Sequence, residues 1–110
     1  MDLGNMMGKM QEMQSKMKEA QEQLQFIKAE GESGAGLVKV TVNGKKKVIE
    51  IDIDESIISS DKKNIVQDLI IAATNLALDK IDPLIQEEIK KHTGGLIPNI
   101  PGFDIANMFK

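Results

Sequence analysis

Cysteine, tryptophan, tyrosine and arginine are all missing from this 110-residue chain. Without cysteine there is no disulfide framework and no thiolate chemistry, so a reducing compartment suits the chain. Without arginine there is no guanidinium fork to read guanine in two bonds at once. Without tryptophan and tyrosine, most platforms on which bases stack are gone. Long apolar runs are missing too. The longest is Leu69 to Ala73, far short of a membrane span or a signal-peptide core. The net charge of -3, from 14 Lys against 17 acidic groups, denies the molecule the broad positive field of a dedicated nucleic-acid binder. Composition alone therefore speaks against nucleic acid as a partner.

The residues present fit one small domain spanning 1–110, with an apolar share of 41% that supports a modest core. From about Asn5 to Lys28, Met6, Met10, Met13, Met17, Ala20, Leu24 and Ile27 follow at alternating steps of four and three, a heptad seam on one helix. Gln, Lys and Glu fill its other faces. So narrow a seam suits a partner helix, supplied either by the chain's own domain or by a second copy. An interfacial membrane helix is disfavoured, because Glu balances Lys on the polar face.

Gly31-Glu32-Ser33-Gly34-Ala35-Gly36 has the glycines of a phosphate loop, but a β-rich run, Leu37 to Val42, follows it in place of a helix. A tight turn is the better reading. Val42-Asn43-Gly44-Lys45 then predicts a two-residue type I′ hairpin between strands. Val38, Val40 and Val42 share one face of the first strand, and Ile49, Ile51 and Ile53 one face of the second, ready to cover a helix. A third, short strand is expected within 26–32, so the sheet region is 29–54.

Ser59-Ser60-Asp61 reads as a helix cap, opening a helix over 61–92 with Ile65, Val66, Leu69, Ile70, Ala72, Ala73, Leu76 and Ala77 as its buried face. Asp82-Pro83 predicts a kink or a restart, and Gly94-Gly95 a stop. Residues 94–110, which include Pro98, Pro101, Phe103 and Phe109, read as an extended tail. Helix, hairpin sheet, long helix is an α+β order.

Catalytic constellations are missing. His92 stands at a helix end with no nucleophile at a suggestive spacing, and Asp52, Asp54 and Glu55 read as a solvated strand end in place of a metal site. No enzyme, cofactor or metal is expected.

Leu3-Gly4-Asn5-Met6-Met7 with the Met/Gln/Lys helix, the stretch Gly31 to Gly44, Ala72-Ala73-Thr74-Asn75-Leu76-Ala77, and Gly95-Leu96 with Pro101-Gly102-Phe103 together resemble the YbaB/EbfC family of bacterial nucleoid-associated proteins. The resemblance covers nearly the whole chain. It implies an intertwined homodimer shaped like tweezers, binding double-stranded DNA with modest sequence preference, in the cytoplasm and nucleoid, with no cofactor. Two features depart from the family pattern: Lys45, Lys46 and Lys47 stand where relatives commonly carry Arg, and Pro83 interrupts a helix expected to be continuous.

With a dimer as the binding unit, local Lys clusters can act despite the acidic total. Lys9, Lys16 and Lys18 on the first helix, Lys90 and Lys91 at the end of the last, and then Lys45, Lys46 and Lys47 are the residues expected to grip phosphates. Lys also blunts sheet edges and complements helix C-termini, so the hairpin and C-terminal groups have a structural reading as well. The competing function is a protein-interaction scaffold that uses the Met-rich helix or the tail.

Overall fold

The computed structural model describes residues 3–94. Helix α1 (Leu3–Gln23) is followed by a single 3-10 turn (Leu24–Phe26), then β1 (Lys28–Ser33), β2 (Val38–Asn43) and β3 (Val48–Ile53), and after two further 3-10 turns by α2 (Lys63–Thr93). The strands form one antiparallel sheet in the order β1-β2-β3. The α+β reading and its element order are correct. The first helix ends earlier than Lys28, because β1 claims that residue for pairing with Asn43.

The core lies where α2 crosses β1 and β2. Val38, Val40 and Val42 are fully buried there against the stripe Ala73, Ala77, Ile81, Ile85 and Ile89, spaced by four along α2. This stripe differs from the face expected from sequence. Ile65, Ala72 and Leu76 are exposed, and Val66, Leu69 and Ile70 only half-buried, while burial continues to Thr93. Ile65, Ala72 and Leu76 lie on a flank of α2 that the sheet does not cover, and burial continues past the sheet because α1 takes over as the packing surface. Gly31 permits the close crossing, since a Cβ there would stand 2.2 Å from the Ala73 carbonyl oxygen and 2.5 Å from the Ala77 nitrogen. Ser33 Oγ donates to the Leu69 carbonyl at 2.6 Å and Lys80 Nζ to the Glu30 carbonyl at 3.1 Å, fastening β1 to α2 at two points.

Helix α2 is continuous through Pro83, so the restart read from Asp82-Pro83 does not occur. The missing N–H leaves the Asp79 carbonyl without its helical partner, and burial of Ile81, Ile85 and Ile89 holds the helix together across that gap. Gly94 closes α2 in the left-handed conformation (φ 58°), donating to the Lys90 carbonyl at 3.0 Å, in keeping with the stop expected at this glycine. The extended tail expected over 94–110 lies, beyond Gly94, outside the described residues.

Both sheet turns depend on positive φ, at different places. Gly34, Ala35 and Gly36 all adopt it between β1 and β2. The β2–β3 connection is not the type I′ turn expected at Asn43-Gly44. Lys46 carries the positive φ (61°), Lys46 N donates to the Asn43 carbonyl at 2.9 Å, and Asn43 N donates to the Lys47 carbonyl at 3.0 Å, which makes a longer loop. Asn43 shapes it through its side chain, whose Oδ1 accepts from Lys45 N (2.9 Å) and Lys47 N (3.2 Å). Gly44 serves close approach: a Cβ there would lie 2.4 Å from the Leu24 carbonyl oxygen, and its N–H donates to the carbonyls of both Leu24 and Ile27 at 2.9 Å. Asn43→Ala is expected to destabilise the domain by about 1–3 kcal/mol, because two N–H groups of the loop lose their acceptor. Asn43→Asp, which keeps the acceptor, should cost less in the same thermal unfolding measurement.

Candidate nucleic-acid interface

The end of α1 is fixed at the level of Asp82 on α2. Gly44 ties the hairpin loop to Leu24, and Lys46 Nζ, on the same loop, reaches Asp82 Oδ1 at 3.0 Å. From that level Met17, Ala20 and Leu24 on α1 and Ile85, Ile89 and Thr93 on α2 are drawn into the interior, so the two helices run side by side in opposite directions as an arm. The molecule is correspondingly elongated, 70 × 25 × 17 Å. The heptad seam splits along this arm. Met17, Ala20, Leu24 and Ile27 dock on their own domain, Met13 is half-buried, and Met6 and Met10 are exposed with Leu3 and Met7.

The lysines singled out from sequence divide into two groups. Lys9, Lys16, Lys18, Lys90 and Lys91 all lie on the arm, whereas Lys45, Lys46 and Lys47 lie on the loop at its base. At 1.5 Å per residue, Lys9 stands about 22 Å from the Leu24 level and Lys90 about 12 Å from the Asp82 level. Lys16 pairs with Glu12 at 3.2 Å, and Lys46 is committed to Asp82. Among the described residues, Lys9, Lys18, Lys90 and Lys91 find no carboxylate to pair with, and neither do Lys45 and Lys47. On α2 beside Lys90, Glu88 is occupied by His92, whose Nε2 lies 2.8 Å from Glu88 Oε1. On the arm, Glu12 and Glu88 are engaged, while Glu19, Glu22 and Glu87 stand near these lysines without an ion pair among the described residues.

The commitment of Lys46 was not legible in the sequence, because its partner lies 36 positions away on another element. Its side chain holds the loop against α2 and has little freedom to follow a ligand. The outer face of the sheet is net acidic. It carries Glu30, Glu32, Glu50 and Asp52 against Lys28 and Lys39, and Lys39 is paired with Glu32 at 3.7 Å.

Among the described residues Phe26, Ile58 and Ile71 are exposed, and two further apolar areas are left uncovered. Helix α2 leaves β3 bare, so Val48, Ile49 and Ile51 are nearly half exposed; a register shift opposite Thr41 and Val42 also breaks the strict alternation expected of Ile49, Ile51 and Ile53. Ile65, Ala72 and Leu76 form the second area, on the flank of α2 nearest β1. The sequence alternation marked β3 correctly as an apolar strand, but it could not show that the chain's own helix stops short of it.

Asp54 accepts from Ser56 N at 2.9 Å and caps a 3-10 turn. Hydrogen bonds from the Ser56 side chain and backbone lower its pKa, and the Ser59 hydroxyl, first among its causes, lowers that of Asp61. Depressed carboxylate values mean stability that is present above the unfolded value of 3.8 and lost as pH falls through the folded values. Asp54→Asn with Asp61→Asn should therefore flatten the acid limb of a plot of thermal midpoint against pH and leave its neutral region shallow. No described helix is long and apolar enough to cross a membrane.

Comparison with known proteins gives a consistent result. The profile of the YbaB/EbfC DNA-binding family matches residues 1–96. A nucleoid-associated protein of Chlorobium phaeobacteroides is 48% identical over 96 residues, 87% of this chain and 85% of that one. One from Chlorobium limicola is 49% identical over the same shares, and one from Chlorobaculum parvum 46%. The crystal structure of an uncharacterised Helicobacter pylori protein shares the fold with a TM-score of 0.66 at 21% identity, over 89% of this chain and 99% of its own. Relatives this similar, over nearly the whole of the described fold, settle the assignment: the chain belongs to the YbaB/EbfC DNA-binding family, which is not a family of enzymes.

Proposed function

We propose that this protein is a nucleoid-associated protein that binds duplex DNA as a homodimer, gripping phosphates with the lysines of its helical arms and reading few bases. The observation that carries this reading is the set Lys9, Lys18, Lys90 and Lys91, four exposed ammonium groups on one arm with no paired carboxylate among the described residues. A point charge on a flexible stem suits a phosphate and carries no base identity. Two protomers double the set on one scaffold. The relatives' description as nucleoid-associated proteins supports the same location for this one.

The dimer rests on the bare apolar areas. Val48, Ile49 and Ile51 on β3, and Ile65 and Leu76 on α2, are each exposed by 44% or more in the single chain. Apolar surface of this kind in a small domain marks an interface, and a second copy supplies a matched surface by symmetry. Ile51→Lys is expected to shift the sedimenting species from dimer to monomer while leaving the fold in place, since Ile51 is nearly half exposed in the single chain. A wild-type protein that sediments as a monomer at micromolar concentration would count against the dimer.

DNA binding is tested by fluorescence anisotropy on two unrelated duplexes of equal length across a salt series. Affinity should fall steeply and linearly on logarithmic axes, with nearly the same line for both duplexes. A flat response would favour the protein-scaffold reading, in which the exposed Leu3, Met6, Met7 and Met10 hold a protein partner.

A further inference from the structure

Asn43 is the only asparagine in the chain followed by glycine; Asn5, Asn64, Asn75, Asn99 and Asn107 precede Met, Ile, Leu, Ile and Met. Glycine offers the least steric resistance to attack by its own nitrogen on the preceding side chain. In an unrestrained chain, the deprotonated Gly44 nitrogen attacks Asn43 Cγ, the Cγ–Nδ2 bond breaks, and ammonia leaves after taking up a proton. Water then opens the resulting five-membered succinimide at either carbonyl, giving aspartate or isoaspartate. The overall change is amide plus water to acid plus ammonia.

The fold handles the two reacting groups in opposite ways. Asn43 Oδ1 accepts from Lys45 N and Lys47 N at 2.9 and 3.2 Å, which polarises Cγ and would stabilise the oxyanion of attack. The nucleophile is shut instead. Gly44 is buried and its N–H donates to the carbonyls of Leu24 and Ile27, both at 2.9 Å, so base cannot reach its proton and the nitrogen is held toward α1. Asn43 itself is only 8% exposed.

We infer that Asn43–Gly44 is a latent deamidation site, primed at the side chain and blocked at the glycine nitrogen, which reacts only when the junction between α1 and the hairpin loop opens. Reaction there would be damaging to the arm. Isoaspartate adds a methylene to the main chain within the loop that places Gly44 against Leu24 and Lys46 against Asp82, so the base of the arm would lose both ties.

The test follows conversion at residue 43 by peptide mass mapping of the full chain, incubated at mildly alkaline pH in buffer and in urea. Conversion in buffer should be more than about tenfold slower than in urea, because it samples only the open fraction. Equal rates would overturn the inference. Leu24→Ala loosens the junction and should speed conversion in buffer while the sheet remains. A folded Leu24→Ala protein converting at the wild-type rate would also overturn it. Hydrogen exchange on the wild type gives a reading independent of that variant: the Gly44 amide must be protected, and freely exchanging Gly44 contradicts the block.

Discussion

Changing Lys9, Lys18, Lys90 and Lys91 together to Gln should remove most of the affinity for duplex DNA and flatten its salt dependence. Every phosphate no longer neutralised lowers the slope of log affinity against log salt by about 0.9, so removing the set from each protomer of a dimer takes away a slope of several units. Affinity at low salt should drop by about two orders of magnitude or more. Folding should be unaffected, because none of the four makes an ion pair among the described residues. Two companion variants give the result its meaning. Lys45→Gln with Lys47→Gln should weaken binding less, since that loop sits at the base of the arm. Lys46→Gln should leave the slope nearly unchanged, because Lys46 already serves Asp82. Anisotropy titrations of all three on one duplex decide the matter. If the four-lysine variant keeps the wild-type slope, the arm is not the phosphate grip.

The acidic total is no obstacle to this behaviour, on grounds of distance. Exposed charges are largely screened beyond the Debye length, about 10 Å at moderate salt. Lys9 stands roughly two such lengths from the level at which α1 meets the hairpin loop. The carboxylates Glu30, Glu32, Glu50 and Asp52 are on the sheet beyond that level and act mainly to discourage DNA from lying across the sheet. The arm itself is balanced, Lys9, Lys16, Lys18, Lys90 and Lys91 against Glu12, Glu19, Glu22, Glu87 and Glu88, so its unpaired ammonium groups act as local points and not through a positive field. A sum over the whole sequence hides the feature that matters.

What is readable without the structure follows from the range of the interactions involved. Local signals are sound: the glycine turn before Leu37, the strands themselves, the helix stop at Gly94 and the placing of lysines on α1 and α2 all follow from short-range preferences. What fails depends on packing between distant elements. The Asn43-Gly44 pair suggests a type I′ turn because both residues tolerate positive φ, yet Gly44 is needed for its lack of a side chain against Leu24 and the left-handed position falls on Lys46. The face of α2 is misjudged because apolar periodicity does not distinguish residues that meet the chain's own sheet from those left on its flank. Pro83 suggests a break, and buried isoleucines on both sides carry the helix through it.

The same substitution, glycine to alanine, should have opposite effects at two positions. At Gly31 the new Cβ would stand 2.2 Å from the Ala73 carbonyl oxygen and 2.5 Å from the Ala77 nitrogen. Both are backbone atoms of a helix, so neither can rotate away, and β1 and α2 must separate. Separation would disturb the packing of Val40, Ala73 and Ala77, all fully buried at the crossing. Overpacking of this kind costs about 1–3 kcal/mol or more, a fall in Tm of roughly 5–15 °C for a domain of this size. At Gly8, on the exposed part of α1, nothing lies within 4 Å of the added methyl. Alanine there gains helix propensity worth up to about 1 kcal/mol and should raise Tm, to the extent that the free end of α1 unfolds with the rest. Thermal melts of Gly31→Ala and Gly8→Ala should therefore bracket the wild type. A Gly31→Ala protein that melts with the wild type would mean that β1 and α2 are not held this close, and the position of the arm relative to the sheet would have to be drawn again.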